Sequence, residues 1–224
     1  MYYKIKKVKP ETWALPELKY PVHLRPNTTD NRVFRQIFGM GEYDISFPFI
    51  PRTIIDGGGN IGLFSALMAN RFPEARIIAI EPDLGNFLQF KINTENYPNV
   101  TPVKAGIWNK SCFLQVIDDG YGHYGFQVTE ANEGTETDLK AITIGDLMDQ
   151  FNLENLDIVK LDVEGAEAMI FQDNYDKWLS CTRMLIIELH EGCWPGSSAN
   201  FELAIKNYPF HRRKNGEFLI YTRY

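Results

Sequence analysis

Residues 53–62 read Thr-Ile-Ile-Asp-Gly-Gly-Gly-Asn-Ile-Gly, a short apolar run broken by glycines and followed by an amphipathic stretch, NIGLFSALMANRF (60–72). This is the pattern of a strand that turns through glycines into a helix. Gly57, Gly59 and Gly62 fall on the spacing G-x-G-x-x-G. Glycine permits the sharp turn and lets the backbone approach a ligand, while the following helix start presents unpaired N–H donors. Glu81 follows 19 residues after Gly62, at the end of the next apolar run. A carboxylate at that distance is placed to take the two hydroxyls of a ribose, so the pair points to a nucleoside-containing cofactor. The plain alternative for Glu81-Pro82 is an ordinary strand exit.

The same texture continues outward. Apolar runs at ARIIAIEP (75–82), VTPVKAGIW (100–108), LDIVKLDVEG (156–165) and RMLIIELHE (183–191) alternate with amphipathic stretches. Nearly continuous apolar strands alternating with helices predict an α/β fold whose parallel sheet is covered on both faces. Two departures stand out. About 45 residues separate the third and fourth runs, including a strand-like CFLQVID (112–118) and a glycine/tyrosine loop, DGYGHYG (119–125). The C-terminal HRRKNGEFLIYTRY carries Asn215-Gly216 between two strand-like runs, the strongest short hairpin signal. The sheet is therefore expected to have five parallel strands and to end in an antiparallel hairpin. Residues 1–50 are less regular, with four prolines before Asn27 and a short helix expected around Val33, Phe34, Ile37 and Phe38. They read as an N-terminal cap on a catalytic domain over 51–224.

Charge narrows the cofactor. Asp56 precedes the first glycine, where a carboxylate would repel a pyrophosphate but suits the ammonium of an amino-acid moiety, as in S-adenosylmethionine (SAM). The alternative is a cap for the backbone of the turn. The 224-residue chain carries a net charge of −6 with 44% hydrophobic residues, which excludes disordered and fibrous classes and gives no general attraction to nucleic acid. Cys112, Cys181 and Cys193 lie far apart without metal-ligand spacing, which argues against a disulfide framework. Neither a signal peptide nor a membrane span is legible, so the expected location is cytoplasmic.

IIDGGGNIGLFS, IIAIEPD, DIVKLDVEGAE and IIELHE, together with LRPNTTDNRVFRQIFGMGEYD before them, resemble the signature segments of FkbM-type SAM-dependent methyltransferases over about residues 23–222. The resemblance implies the Rossmann-like class I methyltransferase fold with an antiparallel final strand. It also implies O-methylation of a hydroxyl on a sugar, a glycan or a natural product. By position, Asp56, Gly57, Gly58, Gly59, Asn60 and Gly62 would hold the methionine part of SAM, and Glu81 with Pro82 the ribose. Ala105, Gly106, Ile107 and Trp108 would lie near the adenine, although core packing is an equal reading for Trp108. Three consecutive glycines depart slightly from the family's usual loop.

Methyl transfer to an alcohol needs the nucleophile aligned and its proton removed, by a base or with a metal ion. Lys160 and Asp162 share one face of the fourth strand, and Glu188 and His190 one face of the fifth. Ionisable groups in buried strands are costly unless paired, so Lys160 with Glu188 is an expected internal pair. Asp162 and His190, nearer the strand exits, are candidates for the general base, and Glu164 for a substrate or metal contact. Glu164 and Glu167 also have a plain explanation as acids in a first helical turn. A divalent magnesium or manganese ion held by Asp162, Glu188 and His190 is a weaker expectation than a metal-free site. His123, with Tyr121 and Tyr124, is placed to cover an acceptor or to form a plain hairpin tip. His23 and His211 read as structural or surface residues. Two other functions remain open: a nicotinamide-dependent oxidoreductase, opposed by Asp56 and the terminal hairpin, and a SAM-binding protein without catalysis.

Overall fold

A computed structural model describes residues 6–9, 11–117, 127–192 and 195–223. A small antiparallel sheet comes first, made of β1 (Lys6–Lys9), β2 (Thr12–Ala14) and β3 (Val22–His23). It is followed by α1 (Asp30–Phe34), which runs on as a wider π-helical turn over Arg35–Gly39. The alternating part then reads β4 (Thr53–Gly57), α2 (Leu63–Arg71), β5 (Arg76–Ile80), α3 (Leu84–Thr94), β6 (Val100–Val103) and β7 (Gly106–Ile107). Next come β8 (Leu114–Ile117), β9 (Gln127–Glu130), β10 (Ala141–Ile142) and α4 (Ile144–Phe151). The order closes with β11 (Leu156–Leu161), α5 (Glu167–Ile170), α6 (Asp176–Leu179), β12 (Thr182–Ile187), α7 (Ser197–Ile205), β13 (His211–Asn215) and β14 (Phe218–Thr222).

The central sheet has seven strands in the order β13-β14-β12-β11-β4-β5-β6. Five are parallel, and β14 runs antiparallel between β12 and β13 through the turn after Asn215. The chain first builds outward from β4 through β5 to β6, then returns to lay β11 on the other side of β4. That reversal leaves a crevice beyond the carboxyl ends of β4 and β11, where doubly wound sheets bind ligands.

Alternation explains why the strands read as unbroken apolar runs. Ile55, Ile78, Val159, Leu161, Leu185 and Ile187 face one core with Phe171, Trp178 and Phe201. Their neighbours Ile54, Ile77, Ile158, Met184 and Ile186 face the other. The second face is covered largely by the first fifty residues, through Leu15, Leu18, Val22, Leu24, Phe34, Ile37, Phe38, Tyr43 and Ile45. Burying each of these larger side chains contributes on the order of 2 kcal/mol, so this segment is part of the core it covers.

Polar bonds fix where the segment runs. The buried side of α3 is polar: Asn93 accepts from His23 N at 2.7 Å and donates to Ile61 O at 2.8 Å, while Gln89 donates to His23 O at 2.8 Å. Arg25 binds Asp30 at 2.8 Å and Asn86 at 2.7 Å, tying the start of α1 to α3. At the far end Asn215 Nδ2 donates to Glu42 O at 2.7 Å and Arg213 to Ser46 O at 2.6 Å. The segment is thereby anchored across the crevice from the α3 side to the terminal hairpin. The 118–126 stretch, including the His123 loop, and Cys193 lie outside the described residues; Cys112 and Cys181 are free thiols. Among the described residues no helix is long and apolar enough to cross a membrane.

Candidate active site

A cavity of about 300 Å³ occupies the crevice. Gly58, Gly59, Asn60, Glu81, Pro82 and Ile107 wall the side of β5, and Tyr43, Asp162, Glu164, Glu188, His190 and Glu217 the side of β12. Arg32 and Gln36 of the N-terminal segment also line it.

The glycine loop is pinned from both sides. Gly58 N and Gly59 N donate to Ile80 O at 3.1 and 2.9 Å. Gly58 has φ +74°, and a Cβ there would lie 1.8 Å from Asp162 O, so the loop runs directly against the exit of β11. Only glycine fits that approach. Asn60, itself at φ 48°, donates its N–H to Glu81 Oε2 at 2.8 Å, and Asp83 N donates to Glu81 Oε1 at 2.9 Å. A carboxylate offers about four lone-pair sites. Two are taken here by the backbone, which leaves Glu81 the acceptor capacity that a vicinal diol such as ribose requires. Burial pushes the Glu81 carboxyl up to about 7, against the pull of those two backbone bonds.

Asp56 lies beneath this loop, fully buried and outside the cavity wall. Its Oδ2 accepts from Ser65 Oγ at 2.6 Å and its Oδ1 stands 3.4 Å from Lys160 Nζ. The expected pairing of Lys160 with Glu188 is replaced by this one. In the parallel register Lys160 stands opposite Asp56, and its Nζ also donates to Gly57 O and Gly58 O at 3.2 and 2.7 Å. Burial opposes the ammonium charge, but Asp56 and Asp162 outweigh it and raise the Lys160 pKa. Asp56 therefore supports the loop from below, through Ser65 and Lys160. Gly57 and Gly62 likewise sit behind the wall that Gly58, Gly59 and Asn60 present.

At the other side, His190 is surrounded by carboxylates. Its Nδ1 lies 3.0 Å from Glu167 Oε1, and its Nε2 lies 3.5 Å from Glu164, 3.6 Å from Glu188 and 3.8 Å from Asp162. Burial disfavours the imidazolium, yet the Glu167 bond and charge, then Asp162 and Glu164, push His190 up to about 10. Burial and the Asp162 charge push Glu164 up to about 8 and Glu188 to about 7, with His190 pulling both down. Ligand atoms of Asp162, Glu188 and His190 fall within 4.8 Å of one another, the spacing of a cation site. A protonated His190 would supply a positive charge at that same point.

Residues 56–204 match the Methyltransferase FkbM domain. The chain belongs to the FkbM methyltransferase family. It is 26% identical over 184 residues to Methyltransferase 1 of Beauveria bassiana, covering 70% of this chain and 72% of that one. Similarity to Hexuronic acid methyltransferase AglP of Haloferax volcanii is 26% over 141 residues, covering 62% of this chain and 56% of AglP. A solved FkbM methyltransferase from Methylobacillus flagellatus aligns with TM-score 0.49 and 16% identity over 81% of this chain, which spans 45% of that structure's length.

Within this FkbM methyltransferase, Ile107 and Gly106 reach the cavity but Trp108 does not. Trp108 is buried in the core and its Nε1 donates to Glu130 Oε1 at 3.2 Å, which favours the packing role over an adenine contact. Several wall residues had no legible signal in the sequence. Arg32 comes from α1, Glu42 and Tyr43 from the turn after it, and Glu217 from the hairpin turn. The Tyr43 ring is wedged between Phe64 and Phe218 at 4.7 and 4.8 Å between centroids. Its hydroxyl pKa is raised well above normal by burial and then by the Asp162, Asp56, Glu188 and Glu42 charges. Glu167 had been set aside as a first-turn acid, yet it is wholly buried against His190.

Proposed function

We propose that this FkbM methyltransferase uses SAM to methylate a hydroxyl of a small polar acceptor, of the sugar or hydroxylated natural-product class. The observation that carries the reading is the pairing of two chemistries across one crevice. A buried carboxylate with spare acceptor sites, Glu81, stands on the β5 side, and a carboxylate–imidazolium cluster on the β12 side. Bound SAM supplies a methyl group already activated on a sulfonium, so the protein must align an acceptor oxygen and take its proton.

On this reading Glu81 accepts from the ribose hydroxyls, Gly58 to Asn60 present backbone to the amino-acid end, and Pro82 and Ile107 pack on the adenine. Asp162 takes the proton of the acceptor hydroxyl, since the four carboxylates around His190 favour its protonated form. Glu188, with a carboxyl near 7, is matched to receive that proton next. The imidazolium of His190 restrains the charge of the three carboxylates around it. Support for a sugar acceptor comes from the similarity to a hexuronic acid methyltransferase, and from the polar lining of Gln36, Glu42, Tyr43 and Glu217.

The test is methyl transfer from SAM to a panel of hexuronic acids, neutral sugars and hydroxylated natural products, read as product mass and S-adenosylhomocysteine formed. An O-methylated product supports the reading. Stabilisation by NAD and not by S-adenosylhomocysteine in a thermal-shift comparison would return the oxidoreductase alternative. A divalent cation at Asp162, Glu188 and His190 is the second reading, favoured by their spacing.

A further inference from the structure

Glu167 is buried completely, which an acid in a first helical turn has no need to be. A buried carboxylate is costly unless hydrogen-bonded, and the partners of this one join the loop between β11 and α5 to His190. Oε1 accepts from Val163 N at 3.1 Å and Oε2 from Gly165 N at 2.9 Å. Oε1 also faces His190 Nδ1 at 3.0 Å. A carboxylate oxygen accepts, so Nδ1 is the donor in that contact and carries a proton.

Two consequences follow from this geometry. The loop between β11 and α5 has Glu164 at φ 52° and Gly165 at φ 101°, both left-handed. Such a turn is unfavourable at a non-glycine residue, and the two bonds to Glu167 hold it in place. The second concerns the ring. With Nδ1 tied down behind the wall, Nε2 is the nitrogen presented to Asp162, Glu164 and Glu188 at 3.5–3.8 Å. A hydrogen bond to one ring nitrogen sets both the tautomer and the direction of the other.

We infer that Glu167 is the positioning residue of this site: it ties His190 by Nδ1 so that Nε2 faces the cavity, and with the same carboxylate holds the loop that carries Glu164. One residue thereby couples the exits of β11 and β12. The importance of that coupling for turnover rests on the methyl-transfer reading above, whereas the placement of His190 does not.

The experiment compares wild type, E167Q, E167D, H190Q and the double variant E167Q/H190Q. Circular dichroism selects the folded proteins, and calorimetry with S-adenosylhomocysteine reads the cofactor side. Folded E167Q is expected to bind S-adenosylhomocysteine within about threefold of wild type while losing about ten- to a hundredfold in kcat. E167D, which keeps a carboxylate one methylene shorter, is expected to recover part of that loss. In the H190Q background E167Q is expected to cost about three- to tenfold less than in wild type, because the bond to His190 is already gone and only the two loop bonds remain to be weakened. Equal losses from E167Q in both backgrounds would overturn the inference. Imidazole NMR gives a readout that needs neither turnover nor a folded variant: wild-type protein must show a slowly exchanging Nδ1 proton on His190. Its absence overturns the placement, whatever becomes of E167Q. If that proton is present and no acceptor is methylated, the methyl-transfer reading fails and the placement stands.

Discussion

Lys160 on β11 stands opposite Asp56 on β4 in the parallel register, its Nζ 3.4 Å from Asp56 Oδ1 and both side chains almost completely buried. The pair sits under the glycine loop, and Lys160 extends the connection to Asp162, 3.6 Å from its Nζ. Loop geometry and the placement of the proposed base thus depend on one buried cation.

Removing that cation is expected to be costly. Lys160→Met leaves Asp56 buried without its counter-charge and frees the Gly57 and Gly58 carbonyls. Breaking a buried pair in this way costs about 3–5 kcal/mol, to be read from urea unfolding of wild type and variant.

Gly58→Ala tests the approach of the loop to β11. A Cβ would meet Asp162 O at 1.8 Å, so the loop must move and cofactor affinity should fall more than about tenfold. Gly134→Ala is the control: φ is also positive, +86°, but nothing lies within 4 Å of the added carbon. It should cost about 1–2 kcal/mol or less and leave S-adenosylhomocysteine binding unchanged. Calorimetry on both variants separates the close approach from backbone strain.

Much of this was legible in the sequence, and the missing parts share a cause. The apolar runs gave the five parallel strands, because four of them bury both faces and only the edge strand β6 is half-exposed. Asn215-Gly216 gave the hairpin for a local reason, turn chemistry. The partner of Lys160 was misread as Glu188 because the register between parallel strands is set by sheet order, and β4 and β11 lie a hundred residues apart in sequence. Glu42 and Tyr43 reach the cavity from the turn just beyond the helical stretch that ends at Gly39, where no period remains to say which way a side chain faces. Glu167 was undervalued because a first-turn acid already has a sufficient local explanation.

The site predicts a pH dependence of one sign. Glu81 and Glu164 hold protons in the folded protein up to about 7 and 8, whereas the unfolded chain releases them near the model-peptide value of 4.5. His190 holds its proton to about 10 against 6.5 unfolded, so its contribution is complete below 6.5 and is lost as pH rises through 10. All three make the folded state bind more protons, so the ligand-free protein should lose stability between pH 5 and 9. Melting temperature measured across that range checks the slope, and Glu81→Gln should flatten its lower part. S-adenosylhomocysteine binding should strengthen as pH rises through about 7, because ribose hydroxyls donate best to ionised Glu81.

Chelation separates the two readings of the His190 cluster. If its imidazolium occupies the centre of Asp162, Glu164 and Glu188, exhaustive EDTA treatment should leave turnover unchanged. A loss restored by magnesium or manganese supports the cation instead.

On the proposed reading Asp162 takes the proton of an acceptor hydroxyl while the Glu81 side holds the cofactor independently. It is tested most directly by following transfer of a carbon-13-labelled methyl group from SAM by NMR, with wild type and D162N side by side. Expected are an oxygen-linked methyl, a rate about a hundredfold lower in D162N, and S-adenosylhomocysteine affinity within about threefold of wild type. A methyl linked to nitrogen or carbon, or undiminished transfer by D162N, would contradict it.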